Sequence, residues 1–277
     1  MSNTHTSAQS SPPKRAVYSA LVGGYEALVE KPAHSEPHVD YLLFTDSNKT
    51  RAPAGWKMIR IVPRFNNDSV RSARYLKIVG HPALDGYDET LWIDNRVVLR
   101  TPATSLFELL GDDDIALPRH SFRSDLRSEF VEVIASGYDD PQRVRAMFDI
   151  AVNSGVERQT PMWTGIMLRK RNPDVQACMQ FWFELLLLTS RRDQLSVNVA
   201  LTHSPAKLRV LEIDNISSDY HRWVSHTLLD RDTSIQMWRA NRRPMKIRLS
   251  DAMRSHSLGR KAAKAATKMG LTIPTLD

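Results

Sequence analysis

One carboxylate interrupts an otherwise apolar run, Leu91-Trp92-Ile93-Asp94-Asn95-Arg96-Val97-Val98-Leu99. The β-forming residues on either side predict a buried strand, a polar crossing and a second short strand, leaving Asp94 at a strand's carboxyl end. Open α/β sheets gather ligands at that edge. A carboxylate there can hold Mg²⁺ or Mn²⁺ against a phosphate, or can merely cap its own turn. Upstream, Arg71, Arg74 and Lys77 recur every third residue of a predicted helix and share a face. Such a stripe can hold phosphate, with Arg bidentate and Lys a point charge, or can be a solvated basic face. Downstream, Arg192-Asp193-Gln194 and then Asn198 place polar groups on one side of an apolar segment. Buried, they need partners that a ligand can supply. Alternatively, Asp193 is the N-cap of the helix that follows.

Two histidines could complete a metal site or serve as hydrogen-bonded structural residues. His120 follows a predicted strand, and His221 lies in Asp219-Tyr220-His221-Arg222-Trp223. Nucleophilic serine chemistry has no support, because there is no Gly-x-Ser-x-Gly elbow. Gly23-Gly24 is neither a Walker loop nor a dinucleotide fingerprint.

The elements that must position these residues alternate. Strands are predicted at 15–22, 41–45, 56–62, 91–94, 115–118, 161–168 and 207–213. Helices are predicted at 68–79 with Asp68 as N-cap and Gly80 as stop, at 104–110, and as a pair within 125–154 opened the second time by Asp139-Asp140-Pro141. A long apolar helix starts at Asn172-Pro173 and runs to about residue 190, and 194–201 continues helically. Strands alternating with helices predict an α/β fold with a mostly parallel sheet covered on both faces. The division expected is a disordered polar leader at 1–14, an α/β domain at 15–215, and a basic, mainly helical extension at 216–277.

With 277 residues, 42% hydrophobic and 25% charged, the chain has the composition of a globular protein with a sizeable core. The one cysteine, Cys178, cannot make an internal disulfide and falls on an apolar helix face with Val175, Met179 and Trp182. The most apolar stretch, 181–188, contains Glu184 and is too short to span a bilayer. A cytoplasmic location is expected. The net charge of +7 concentrates at 239–268, where Arg and Lys recur against Asp251 alone. That segment suits an anionic inner membrane face or an acidic polymer, or is simply a solvated helix. With few aromatics and no reading motif beside it, nucleic acid is not the partner expected.

The order of the pieces resembles one family. Val17-Tyr18-Ser19-Ala20, Gly23-Gly24-Tyr25, Phe44-Thr45-Asp46, Gly55-Trp56, Arg71, Arg74, Lys77, Trp92-Ile93-Asp94, Arg119-His120 and Arg192-Asp193-Gln194-Leu195-Ser196 are similar to a glycosyltransferase-like family once catalogued as a domain of unknown function, with plant members in mucilage and pectin synthesis. That family resembles the retaining family-eight glycosyltransferases of GT-A fold. The resemblance implies a GT-A-like, Rossmann-like, mostly parallel mixed sheet. It also implies sugar transfer with retention from a nucleotide-sugar, UDP-linked by likeness, to a glycan or glycolipid in surface polysaccharide synthesis. It places Tyr25, Asp46, Arg71, Arg74, Lys77, Asp94, Asn95 and Arg96 around the donor, Thr164 and Gly165 along the sugar, Asp193 and Gln194 at the reacting carbon, and Asn198 behind them. The metal implied is Mn²⁺ or Mg²⁺ on Asp94. However, Arg96 stands where the family's Asp-x-Asp has its second carboxylate. Either His221 or another group completes the coordination, or Arg96 replaces part of the metal's charge in a metal-independent enzyme. A plant relative described as a ceramidase makes amide hydrolysis one alternative, and a non-catalytic nucleotide-sugar- or glycan-binding protein is another.

Overall fold

The computed structural model describes residues 12–24 and 26–224. Tyr25 and the basic stretch at 239–268 lie outside the described residues. In chain order the elements are β1 (Arg15–Leu21), β2 (Val39–Thr45), β3 (Lys57–Arg60), α1 (Ser69–Ile78), β4 (Glu89–Ile93), β5 (Val97–Leu99), α2 (Ala103–Glu108), β6 (Ile115–Pro118), α3 (Leu126–Ala135), α4 (Pro141–Asn153), β7 (Ile166–Lys170), α5 (Pro173–Leu188), α6 (Val197–Thr202), β8 (Leu208–Leu211) and β9 (His221–Trp223).

Local chemistry sets most of the boundaries. Asp68 starts α1 by accepting from the Arg71 backbone N–H at 2.9 Å, and Gly80 ends it with a φ of +99° that L side chains rarely adopt. Helices α4 and α5 open on Asp140-Pro141 and Asn172-Pro173. Their caps accept from the N–H of Gln142 and of Val175, each at 2.8 Å.

Seven strands form a sheet in the order β3-β2-β1-β4-β7-β6-β8. Only β7 runs antiparallel to its neighbours. This is the mostly parallel mixed sheet with flanking helices expected from the sequence. Strand alternation sends Tyr18, Phe44 and Trp92 into a core with Leu76, Phe130, Phe148 and Trp182 of the helices. It sends Val17, Leu43 and Ile93 to the other face, under Trp56, Leu106 and Phe107. Each fully buried large side chain contributes about 1.5–3 kcal/mol. From β1 the chain steps outward to β3, then returns to lay β4 on the other side of β1. At such a reversal the loops leaving the two strands part, and a crevice opens at their carboxyl ends.

Three expectations are corrected. Strand β7 begins at Ile166 rather than 161, because Thr164 and Gly165 turn across the end of β4. The helix expected at 194–201 is a 3-10 turn, Asp193–Leu195, followed by α6. Residues 216–224, expected in a helical extension, return to the domain: β9 pairs antiparallel with β5. Its three residues, His221, Arg222 and Trp223, are too few to show a strand period. Among the described residues no helix is long and apolar enough to cross a membrane.

Candidate functional site

At the β1–β4 crevice lies a cavity of about 320 Å³, whose lining includes Arg74, Lys77, Asp94, Asn95, Arg96, Thr164, Gly165, Arg192, Asp193 and Gln194. Three distant segments of chain meet there. Helix α1 carries Lys77, whose side chain reaches Asp94 at the end of β4. Lys77 Nζ stands 3.2 Å from Asp94 Oδ1 and 2.6 Å from Asp193 Oδ2, and donates to Thr164 Oγ1 at 3.0 Å. Thr164 in turn donates to Asp193 Oδ2 at 2.9 Å. Arg74 Nε reaches Asp193 Oδ1 at 2.9 Å, and Trp92 Nε1 donates to Asp94 Oδ1 at 2.8 Å.

The basic stripe of α1 is therefore not a solvated face. Lys77 is 1% exposed and sits within a network of opposite charges. Nor is Asp193 a helix cap: α6 has no side-chain cap, and both Asp193 oxygens belong to Arg74, Lys77 and Thr164. Burial alone would raise its pKa. Arg74, Lys77 and Arg192 outweigh that effect and hold the carboxyl far below the usual range, so it stays ionised.

Other predicted residues serve the frame. Asp46 accepts from the Gly23 N–H with both oxygens at 3.1 Å and is outside the cavity lining. Gly23 has φ +82°, and a Cβ there would lie 2.4 Å from Ser69 Cβ, so the turn beside α1 requires glycine. Arg71 pairs with Asp68 at 2.7 Å and reaches the Thr189 carbonyl at 3.4 Å. Asn198 lies behind the cavity, accepting from Met162 N–H at 3.1 Å and donating to the Thr160 carbonyl. Asn95 touches the cavity, but its amide ties down the preceding loop through Val29 N–H, Glu26 and the Ala27 carbonyl. Arg96 lies 3.8 Å from Glu26 Oε2 and over the Trp223 ring.

Lys31 and several wall residues carried no signal in the sequence. Lys31, fully buried, donates to Ser19 Oγ and to the carbonyls of Asp94 and Asn95 at 3.1, 3.3 and 3.2 Å, pinning the polar crossing. Burial brings its pKa down to about 7 against the pull of Asp94 and Glu26. On the far wall His120, one of the two histidines considered for a metal site, lines the cavity together with Arg123, Glu129 and Tyr138, which the sequence did not mark. Burial raises the Glu129 pKa, although Arg192 and Arg123 oppose it. Trp163, next to Thr164, packs where a Cβ on Gly165 would sit, 2.3 Å from its Cζ2. The only sequence signal for Trp163 was its place beside the predicted sugar-site pair.

His221 does not line the cavity that holds Asp94. Strand β9 buries it against Trp163, with ring centroids 5.5 Å apart, outside the cavity lining. Its Nδ1 meets Ser218 Oγ at 2.8 Å and its Nε2 faces the Asn215 carbonyl at 3.3 Å. The Mn²⁺ or Mg²⁺ implied by the resemblance does not fit this donor set. Asp94 Oδ1 is already shared by Lys77 and Trp92, and a guanidinium replaces the second carboxylate. Among the described residues no three His, Cys, Asp or Glu side chains converge.

No protein-family model matches the chain, and no curated protein matches it. Among solved structures it is similar to core-mannan synthase A of Aspergillus fumigatus in a Mn/GDP form, at 11% identity and TM-score 0.46 over 74% of each chain. It is also similar to the WbbM bifunctional glycosyltransferase, at 14% identity and TM-score 0.47 over 72% of this chain but only 39% of that one. Mouse xyloside xylosyltransferase 1 gives 12% identity and TM-score 0.42 over 72% of this chain and 85% of that one. The chemistry of the site rests on its own geometry.

Proposed function

We propose that the chain is a glycosyltransferase that moves a sugar from a nucleoside-diphosphate donor to a hydroxyl of a glycan or glycolipid. One observation carries this reading: Asp94, Lys77, Thr164, Asp193 and Arg74 are joined in a single cavity at the β1–β4 reversal. Arg74, Arg96 and Arg192 line it, and their guanidinium groups offset the charge that builds on a departing diphosphate. Asp193, kept ionised by its cationic neighbours, supports positive charge developing at the anomeric carbon. Gln194, half-buried beside it, is placed to hold the sugar.

Transfer is proposed to proceed with retention. The acceptor oxygen approaches from the diphosphate's side, and the bond between anomeric carbon and diphosphate oxygen breaks. A bond to the acceptor oxygen forms, and the departing phosphate takes the hydroxyl proton. UDP is the proposed nucleotide, surface polysaccharide the proposed product, and the cytoplasmic face of an anionic membrane the proposed place, on the strength of the charge at 239–268. Amide hydrolysis would need an activated water on a cluster of His or carboxylate ligands, and no observation favours it.

A screen of UDP-, GDP- and dTDP-sugars, reading released nucleotide in the presence and absence of oligosaccharide acceptors, tests the proposal. Acceptor-dependent release that disappears in Asp193→Asn is the expected result. Tight nucleotide-sugar binding with no release across a broad acceptor panel would instead make the chain a binding protein.

A further inference from the structure

The ammonium of Lys77 has the surroundings of a metal ion. Its contacts within 3.2 Å are Asp94 Oδ1, Asp193 Oδ2 and Thr164 Oγ1. Two are carboxylate oxygens and the third is a hydroxyl, supplied by the end of β4, the 3-10 turn at Asp193 and the approach to β7. Hard oxygen donors converging from separate segments are what a small divalent cation selects. Here the centre of that arrangement is a nitrogen carrying three N–H donors, with an oxygen for each. Lys77 is 1% exposed, so its charge is held in place by packing rather than by solvent. Two residues after Asp94 the chain carries Arg96, whose guanidinium lines the same cavity.

We propose that Lys77 takes the place of a divalent cation, so that the cavity receives its diphosphate without metal and becomes a metal site only when that ammonium is removed. The inference rests on the glycosyl-transfer reading for the identity of the anion, but not for the cation exchange itself. Diphosphate neutralisation then falls to the guanidinium groups of Arg74, Arg96 and Arg192, which line the same cavity. Guanidinium binds paired phosphate oxygens through two parallel N–H donors. With Lys77 gone, Asp94, Asp193 and Thr164 face one another across a space the size of an ammonium, with two negative charges left to balance.

The test uses the full chain and two readouts. The first is Mn²⁺ uptake, followed as loss of the free-ion electron paramagnetic resonance signal. The second is the shift of the thermal midpoint by UDP and by GDP, in EDTA and in saturating Mn²⁺. For the wild type, no Mn²⁺ uptake and equal nucleotide shifts under both conditions are expected. Lys77→Met, which keeps the bulk and removes the charge, should bind Mn²⁺ at least about tenfold more tightly than wild type. Adding Asp94→Asn to it should abolish that binding. Mn²⁺ uptake by the wild type that Asp94→Asn removes, or a nucleotide shift seen only with Mn²⁺, would overturn the proposal. So would a folded Lys77→Met protein that takes up no more Mn²⁺ than wild type. Should Lys77→Met fail to fold, the wild-type measurements decide alone. If neither nucleotide shifts the midpoint under any condition, the glycosyl-transfer reading fails, while Mn²⁺ uptake still decides the role of Lys77.

Discussion

Lys77 Nζ lies 2.6 Å from Asp193 Oδ2, with both side chains withdrawn from solvent. Thr164 closes the pair into a triangle, and Arg74 holds the other Asp193 oxygen. Charges buried together in this way depend on one another, since each removal leaves the rest without compensation.

Asp193→Ala therefore strands two cations in the interior. It should lower unfolding stability by about 3–5 kcal/mol, as for other broken buried pairs. Urea denaturation followed by tryptophan fluorescence measures this, and a loss under 1 kcal/mol would mean the network is solvated.

Asp94 differs, because its side chain is about a quarter exposed, at 26%, and opens on the cavity. Asp94→Ala should leave the circular dichroism spectrum unchanged and lower kcat/KM for nucleotide-sugar turnover by about 10²-fold or more. Wild-type turnover in the purified variant would remove Asp94 from the site.

Gly165→Ala tests the floor of the cavity. The added methyl meets the Trp163 ring at 2.3 Å, and the Gly165 carbonyl accepts from the Asp94 N–H at 2.9 Å. Overpacking of this kind costs about 1–3 kcal/mol. A lowered thermal midpoint is expected, together with weakened nucleotide binding, since displaced Trp163 shifts the turn that carries Asp94.

His120 gives the pH dependence a sign. Burial first, and then Arg123, push its pKa down to about 4. The unfolded imidazole titrates near about 6.5, so between these values the unfolded chain binds a proton that the folded one does not. Stability thus rises with pH across that window and is lost as pH falls through it. His120→Gln should flatten this part of the profile of thermal midpoint against pH. An unchanged slope from about pH 4 to 6.5 would show that other groups produce it.

By itself the sequence determined the alternation of strands and helices, the cap at Asp68, the helix openings at Asp140-Pro141 and Asn172-Pro173, and the delivery of Asp94 to a strand end. These features follow from side-chain period, φ preference and hydrogen bonding within a few residues, all of which are local. The pattern also placed Arg74, Lys77 and Asp193 among the candidates. Only the tertiary structure decided which of them meet. A basic stripe on α1 reads the same whether water or two carboxylates cover it, because the covering groups come from β4 and from the turn after α5. The same limit hid β9, which carries His221 under Trp163 and outside the cavity lining, and Lys31, which reaches the Asp94 turn from a loop. Burial of charge is a property of what packs against it, and that is written in residues far along the chain.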